Sequence, residues 1–301
     1  MRAVAALVEA ATKFNHDFTQ HGLHLKVFLS AETFPHLQEN YISNTLKYVQ
    51  SPLYLHWRPK DLIRLVCWRF DNFLKRSKRA TIHGDVEWEN FPSVRDKVWI
   101  PHFGEWITNG SNIREYTFPY VLRHTQLRPR QLIAVCNEIA NHSDPLGTSN
   151  PTFPPELILS TVRDTEANLA TEVLNAYKGT YPHIADIVMA LTGLPSIFKG
   201  SDLDRVAKRS SRHFPRGDYF PSEFRRLVAE LGIVGRVRKI TSRGFVMADF
   251  EYAMDNRLSL QESDQCVIHP MFYRKLNVQI ERKYAVYPFP EQFVADLQEM
   301  F

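Results

Sequence analysis

Apolar residues recur at helical spacing over residues 3–19, where Val4, Leu7, Val8, Ala11, Phe14 and Phe18 share a face. After Gly22 the period drops toward two. Leu23, Leu25, Val27 and Leu29 alternate with their neighbours and Phe28 adds a second apolar side, which predicts a buried strand over 23–32. Thr33 is placed to cap a short helix carrying Pro35 in its first turn. Residues 53–57 read as a short extended run. Pro59 then opens a helix with Leu62, Ile63, Leu65, Val66, Trp68 and Phe70 as its apolar set. The cations of 75–79 end it and suit its dipole.

Gly84, Pro92 and Pro101 punctuate residues 80–101, which predicts a loop or insertion. Short aromatic-bearing runs follow at 103–107 and 116–124. Pro129 opens a helix over 129–141, and the Pro-rich stretch SDPLGTSNPTFPP at 143–155 is the best domain boundary in the chain. A long helix over 156–177 leads a run of helices to about residue 231. Strands are expected at 233–234, 245–252 and 266–269, with a turn at Arg243-Gly244 and a closing helix near 291–300. The expected class is α+β and mostly helical. Its parts are a partial sheet edge with a helical lid over 1–142, a linker and helical connector over 143–198, and a helix-plus-strand module over 199–301.

The 301 residues are enough for two or three domains, and 44% hydrophobic content excludes wholesale disorder. The best apolar run, 184–198, is broken by Asp186, Gly193 and Pro195, so no membrane-spanning helix is expected. The N-terminal stretch reads as an amphipathic helix rather than a signal peptide. Cys67, Cys136 and Cys266 are odd in number and far apart, which excludes a disulfide framework or thiolate zinc site and makes a reducing cytoplasm the default. Net charge is +4, but its distribution is uneven. Residues 199–243 hold 12 basic and 5 acidic residues, an excess of seven positive charges. The tail from residue 244 has four more acidic residues than basic ones. The positive charge is one local patch.

Catalytic motifs are missing from the sequence. None of the 12 glycines is followed by Lys, so there is no Walker A loop, and no GxGxxG occurs. Phe245–Asp249 imitates an apolar strand ending in a metal-binding Asp, yet reads better as a plain sheet strand. His16, His21 and His24 cluster without an acidic partner or an HExxH frame, so no metal site is assigned. There is no GxSxG. Asp85, Glu87 and Glu89 alternate as a solvated acidic face does. A hydrolase built on them is the marginal reading, and no catalytic residue is assigned.

The basic patch carries more. SEFRRLVAEL at 222–231 reads as a helix capped by Ser222, followed by GIVGRVRKI and a strand pair. A helix followed by a basic two-stranded wing is the logic of a winged helix-turn-helix, which neutralises phosphates and places a helix in the major groove. Arg225, Arg226, Arg236, Arg238, Lys239 and Arg243 are its candidate nucleic-acid contacts. The competing use of such a fold is protein contact alone.

Several segments in order resemble one family. They are LHLKVFLSAETFPHL (23–37), LYLHWRPKDLIRLVCWRF (53–70), LRPRQLIAVCNEI (127–139), TEANLATEVLNAYKGTYPHI (165–184), LVAELGIVGRV (227–237) and FEYAMDNRLSLQESDQCVIHPMFYRKL (250–276). Together they are similar to the C-terminal half of prokaryotic P-loop ATPases of the STAND/AAA+ type, multidomain proteins often found in defence or mobile-element loci. The resemblance implies late ATPase strands, a helical lid and a winged-helix module. It matches 23–32 to the strand before the sensor-1 position, where family members place an Arg and this chain has Ser30. It makes Arg128 and Arg130 lid residues facing a nucleotide γ-phosphate, a role suited to guanidinium groups at a helix N-terminus. His269, within Ile268-His269-Pro270, takes a structural part. Walker A and Walker B would lie upstream of Met1, so the chain is expected neither to bind MgATP tightly nor to hydrolyse it alone. It would hold no cofactor unless that part were supplied. The leading expectation is a non-catalytic, regulatory portion of such an ATPase, partnered by duplex DNA, another protein or an ATPase subunit, and by no membrane. The alternative is a freestanding winged-helix DNA-binding regulator with an N-terminal partner-binding domain.

Overall fold

The computed structural model describes residues 2–30, 34, 37, 41–42, 53, 55–77, 84–143, 151–213, 220–254 and 257–300, except the side chains of 298–300. The expected cap at Thr33 and Pro35, the basic end at 78–79 and most of the linker at 144–150 lie outside those residues. The chain divides into two compact units, Met1–His56 and Trp57–Phe301. The boundary expected at 143–155 falls inside the second.

The smaller unit is built on α1, Arg2–Phe18, whose buried face is Ala5, Val8 and Ala11 at three-residue spacing. Ala5 and Val8 pack with Leu37 and Ile42, and Val4, Val27 and Leu29 lean on that cluster. The strand expected at 23–32 does not form over its described part, 23–30. The Asn15 side chain takes the place of a neighbouring strand. Its Oδ1 accepts from Leu25 N at 2.6 Å and its Nδ2 donates to Leu25 O at 2.9 Å, fixing the segment on the end of α1. The alternation survives as burial, with Val27 and Leu29 half-buried and Lys26 and Phe28 exposed. A sheet edge at this point, on which the partial-ATPase reading leaned, is therefore corrected to an irregular segment held by one amide.

The larger unit starts with α2, Pro59–Arg76, which buries Leu62, Ile63, Val66, Cys67 and Leu74. Of the loop expected over 80–101, residues 84–90 are irregular and the rest of the described part is not. From there α3 (Phe91–Val94), a π turn (Arg95–Trp99) and α4 (Ile100–Phe103) make one helical tract. Pro92 starts this tract instead of breaking it. Pro101 would clash with the carbonyl four residues back, and the tract widens just before it, Ile100 N donating to Arg95 O. Trp99 is thereby buried, stacked on Phe103 and edge-on to Phe118. The hairpin β1–β2 (Trp106–Thr108, Arg114–Tyr116) leads into α5 (Thr117–Leu122), α6 (Pro129–His142) and α7 (Pro155–Tyr177). Both long helices open on a Pro, as expected for Pro129, while Pro155, expected to end the linker, is the first residue of α7.

The C-terminal part supplies a five-stranded sheet. Its members are β3 (Ile197–Lys199), β4 (Val234–Ile240), β5 (Phe245–Asp249), β6 (Gln265–Ile268) and β7 (Ala285–Tyr287), in the order β3-β6-β4-β5-β7. All neighbours are antiparallel except β5 and β7. Strand periodicity divides the side chains between two cores. Cys266 and Ile268 join the large helical core, while Val246, Ala248, Val267 and Val286 form a second cluster on the other face. Helices α8 (Ile184–Val188), α9 (Gly200–Ser210), α10 (Pro221–Glu230) and α11 (Glu291–Met300) complete the unit. β3, α9, α10 and the β4–β5 hairpin follow one another in the order a winged helix-turn-helix uses. However, β6 separates β3 from the hairpin. Arg58 donates through Nε and Nη2 to the two Asp296 carboxylate oxygens and seats α11 at the start of α2. The protein is α+β and predominantly helical.

Candidate functional site

Within the larger unit, a cavity of about 660 Å³ opens where the β1–β2 turn, the end of α5, α7 and the chain around β7 meet. Its lining includes Arg123, Arg163, Arg274 and Arg282, together with His124 and Glu166.

The turn is held by Asn109, whose Oδ1 accepts from Ser111 N and Ile113 N at 2.8 and 3.2 Å. Asn112 supplies the left-handed backbone position, with φ of 57°. Asn109 Nδ2 in turn donates to Glu115 Oε1 at 2.5 Å. Glu115 does not line the cavity but holds two residues that do, Asn109 and Arg123. It accepts a two-pronged contact from Arg123, both bonds at 3.1 Å, and a 2.7 Å bond from the Tyr287 hydroxyl. The pair is almost completely buried. Burial works against the Arg123 charge, but Glu115 more than restores it, so the guanidinium is held firmly protonated.

The next residue, His124, behaves differently. Its side chain is 7% exposed, and neither ring nitrogen makes a hydrogen bond within the described residues. Nδ1 lies 2.9 Å from Glu166 Oε1 on α7, an approach too oblique for a hydrogen bond. Burial, reinforced by Arg123, lowers the His124 pKa well below the ordinary imidazole value. Burial also pushes the Glu166 carboxyl up to about 8, against the pull of Arg123 and Arg163. Near neutral pH the pair therefore rests as an uncharged imidazole beside a largely protonated acid. Around them stand exposed cations. Arg163 and Arg282 make no ion pair within the described residues, and Arg274 holds Asp164 at 2.6 Å. Thus the interior offers hydrogen-bond donors and the rim offers positive charge. An anion meets both.

The residues expected from the sequence sit elsewhere. Arg130 is 85% exposed and pairs with Glu172 on α7 at 3.3 Å; Arg128, half-buried, immediately precedes α6. Neither lines the cavity. Arg225 Nε lies 3.0 Å from Asp204 Oδ1, an oblique ion pair, and Arg225 Nη1 donates to Leu260 O. Arg226 pairs with Glu223. Arg238 pairs with Asp249 and reaches Phe289 O, so Asp249 is a strand residue with an arginine partner. Arg236 is half-buried, and Lys239 and Arg243 are exposed on or beside the β4–β5 hairpin. Helix α10 leaves only Ser222 fully exposed, a poor face for a major groove. The hairpin does touch the cavity wall. A side chain at Gly244 would meet Lys283 O at 2.3 Å, next to Tyr284, whose carbonyl accepts from Ser111.

Asp85, Glu87 and Glu89 are exposed, and Glu89 pairs with Arg64, so the described residues give these carboxylates the solvated setting of an ordinary acidic surface. His269 is buried, accepts from Met271 N through Nδ1 and faces the Tyr252 hydroxyl at 2.9 Å through Nε2. Its role is to cap the turn after β6. The three cysteines are buried and their thiols raised by burial, which leaves them inert. No helix within the described residues is long and apolar enough to cross a membrane.

Sequence reasoning missed the cavity. Arg123 and His124 follow a buried run, and their partners at 163–166 and 274–286 lie far along the chain, so no local motif marks them. No protein-family model, curated protein or solved structure matches the chain, so the site rests on its own geometry.

Proposed function

We propose that the chain is a non-catalytic regulatory module of the P-loop ATPase kind its sequence resembles, and that its larger unit reads a phosphate-bearing ligand through the arginine-lined cavity. The observation that carries this reading is His124, a buried imidazole whose Nε2 has no partner among the described residues and whose Nδ1 meets only the Glu166 carboxyl, in a cavity rimmed by Arg163, Arg274 and Arg282. An unsatisfied buried polar group costs stability, and a ligand oxygen would satisfy it. Guanidinium groups bind phosphate oxygens in pairs, and a dianion beside His124 favours its protonated form. Binding should therefore take up a proton.

Titration calorimetry with pyrophosphate, a nucleoside triphosphate and a short duplex tests this. The reading expects phosphate ligands to bind one site. It expects R163A and R282A each to weaken them by roughly tenfold, the worth of one charge-assisted hydrogen bond. Heats that vary with buffer ionisation enthalpy would report the proton. If only the duplex binds, and Lys239→Ala with Arg243→Ala abolishes it while Arg163→Ala does not, the freestanding DNA-binding reading replaces this one. Exposure of those two hairpin cations is the observation that keeps that alternative in the test.

A further inference from the structure

One cluster outside the cavity has the composition of a cation site. His183 stands just before α8, Asp186 lies three residues on in its first turn, and His213 ends the 3-10 turn Ser211–His213 after α9. That three-residue step brings His183 and Asp186 to one side of the helix start. His213 approaches from the neighbouring turn, its ring centroid 6.2 Å from that of His183. One ligating atom from each of the three residues lies within 4.8 Å of the other two. His183 and Asp186 are exposed and His213 is half-buried, so an ion can enter without the fold opening.

A second observation concerns His213 itself. Arg212 Nε donates to its Nε2 at 3.0 Å. That nitrogen therefore presents a lone pair, and the group engaging it is a cation.

We propose that His183, Asp186 and His213 bind a divalent first-row transition metal ion of the zinc class. Two imidazoles with one carboxylate suit Zn²⁺, Co²⁺ or Ni²⁺, whereas Mg²⁺ and Ca²⁺ take oxygen ligands. Ligands on a tetrahedral zinc sit about 3.4 Å apart, given bonds of roughly 2.1 Å. Side-chain rotations of about an ångström close the present spacing to that value. Three protein ligands leave a fourth position to water. Arg212 swings away as the ion arrives, so it competes with the metal. The bound ion ties the turn after α9 to the start of α8. The site is independent of the arginine-lined cavity.

Titration of the full chain with ZnCl₂ in phosphate-free buffer, with Co²⁺ as a spectroscopic substitute, tests the assignment. One ion per chain is expected. Co²⁺ should give ligand-field bands without thiolate charge transfer, since all three cysteines are buried. His183→Ala and His213→Ala should each weaken binding at least tenfold, and Asp186→Asn should weaken it less. Arg212→Ala should tighten it, which a general loss of structure could not do. Affinity should fall at acid pH because imidazole binds metal only when deprotonated. His142→Ala, an exposed histidine elsewhere, and Arg163→Ala should leave binding unchanged. Absence of binding, or binding indifferent to both His183→Ala and His213→Ala, would overturn the proposal.

Discussion

Two sets of arginines in this protein look alike in sequence and differ in the fold. The run at 199–243 is the most basic stretch of the chain, yet Arg225, Arg226 and Arg238 spend their charge on Asp204, Glu223 and Asp249. The cavity draws Arg123, Arg163, Arg274 and Arg282 from segments with no net excess that stands out. There Arg163 and Arg282 face solvent without an ion pair within the described residues. Charge density along a chain therefore measures how many cations are present, and the fold decides how many are available. An arginine three or four residues from an acid on the same helix, or across from one on a strand pair, is already half spoken for.

The sharpest contrast is in stability. Arg123→Ala leaves Glu115 buried without its cation and should cost about 3–5 kcal/mol. Arg225→Ala breaks a more accessible pair and should cost about 1 kcal/mol. Urea unfolding of the two variants measures both, and equal losses would erase the distinction between a buried pair and a spent surface.

Glu166 gives a pH signature of the cavity. Its carboxyl sits at about 8 in the folded chain, above the ordinary carboxylate value, so folding takes up a proton between the two. That stability is fully present below the ordinary pKa and is lost as pH rises toward about 8. His124 works in the opposite sense, its lowered pKa withdrawing stability as the medium turns acid. Glu166→Gln should flatten the alkaline loss and leave the variant more stable than wild type by on the order of 3 kcal/mol near pH 9. Thermal melts across pH check this; parallel curves would place Glu166 in an ordinary carboxylate setting.

Rim and hairpin substitutions should matter for binding and hardly for folding. Arg163→Ala and Arg282→Ala should leave the melting temperature within the scatter of exposed surface changes, about 0.5 kcal/mol, while weakening phosphate ligands. The smallest effect belongs to Lys239→Ala with Arg243→Ala. Under the cavity reading it should only reduce the salt dependence of any duplex association, each lost phosphate contact removing about one unit from its slope.

Much of the larger unit was legible because its signals are local. Pro59 and Pro129 mark two helix starts, and Gly244 marks the hairpin turn with φ of 84°. The errors share a cause, namely groups supplied from a distance. Leu23–Leu29 has a strand's alternation, but Asn15 fills the hydrogen bonds a neighbouring strand would have made. Pro92 and Pro101 look like breakers until the π turn absorbs the second. β3 has only three residues and exists because Ile197–Lys199 meets β6 in register. The network that holds Arg123 at the cavity is the extreme case, since Glu115 and Tyr287 lie 172 positions apart and are joined by a hydrogen bond.

The central claim is that the cavity around His124 takes a phosphate-bearing ligand with uptake of a proton. Calorimetric titration of pyrophosphate into the wild-type chain at about pH 6 and about pH 8 tests it most directly. The account predicts one site whose affinity falls as pH rises, and weaker binding in Arg163→Ala at either pH. Binding that is absent, or that ignores both pH and Arg163, would contradict it.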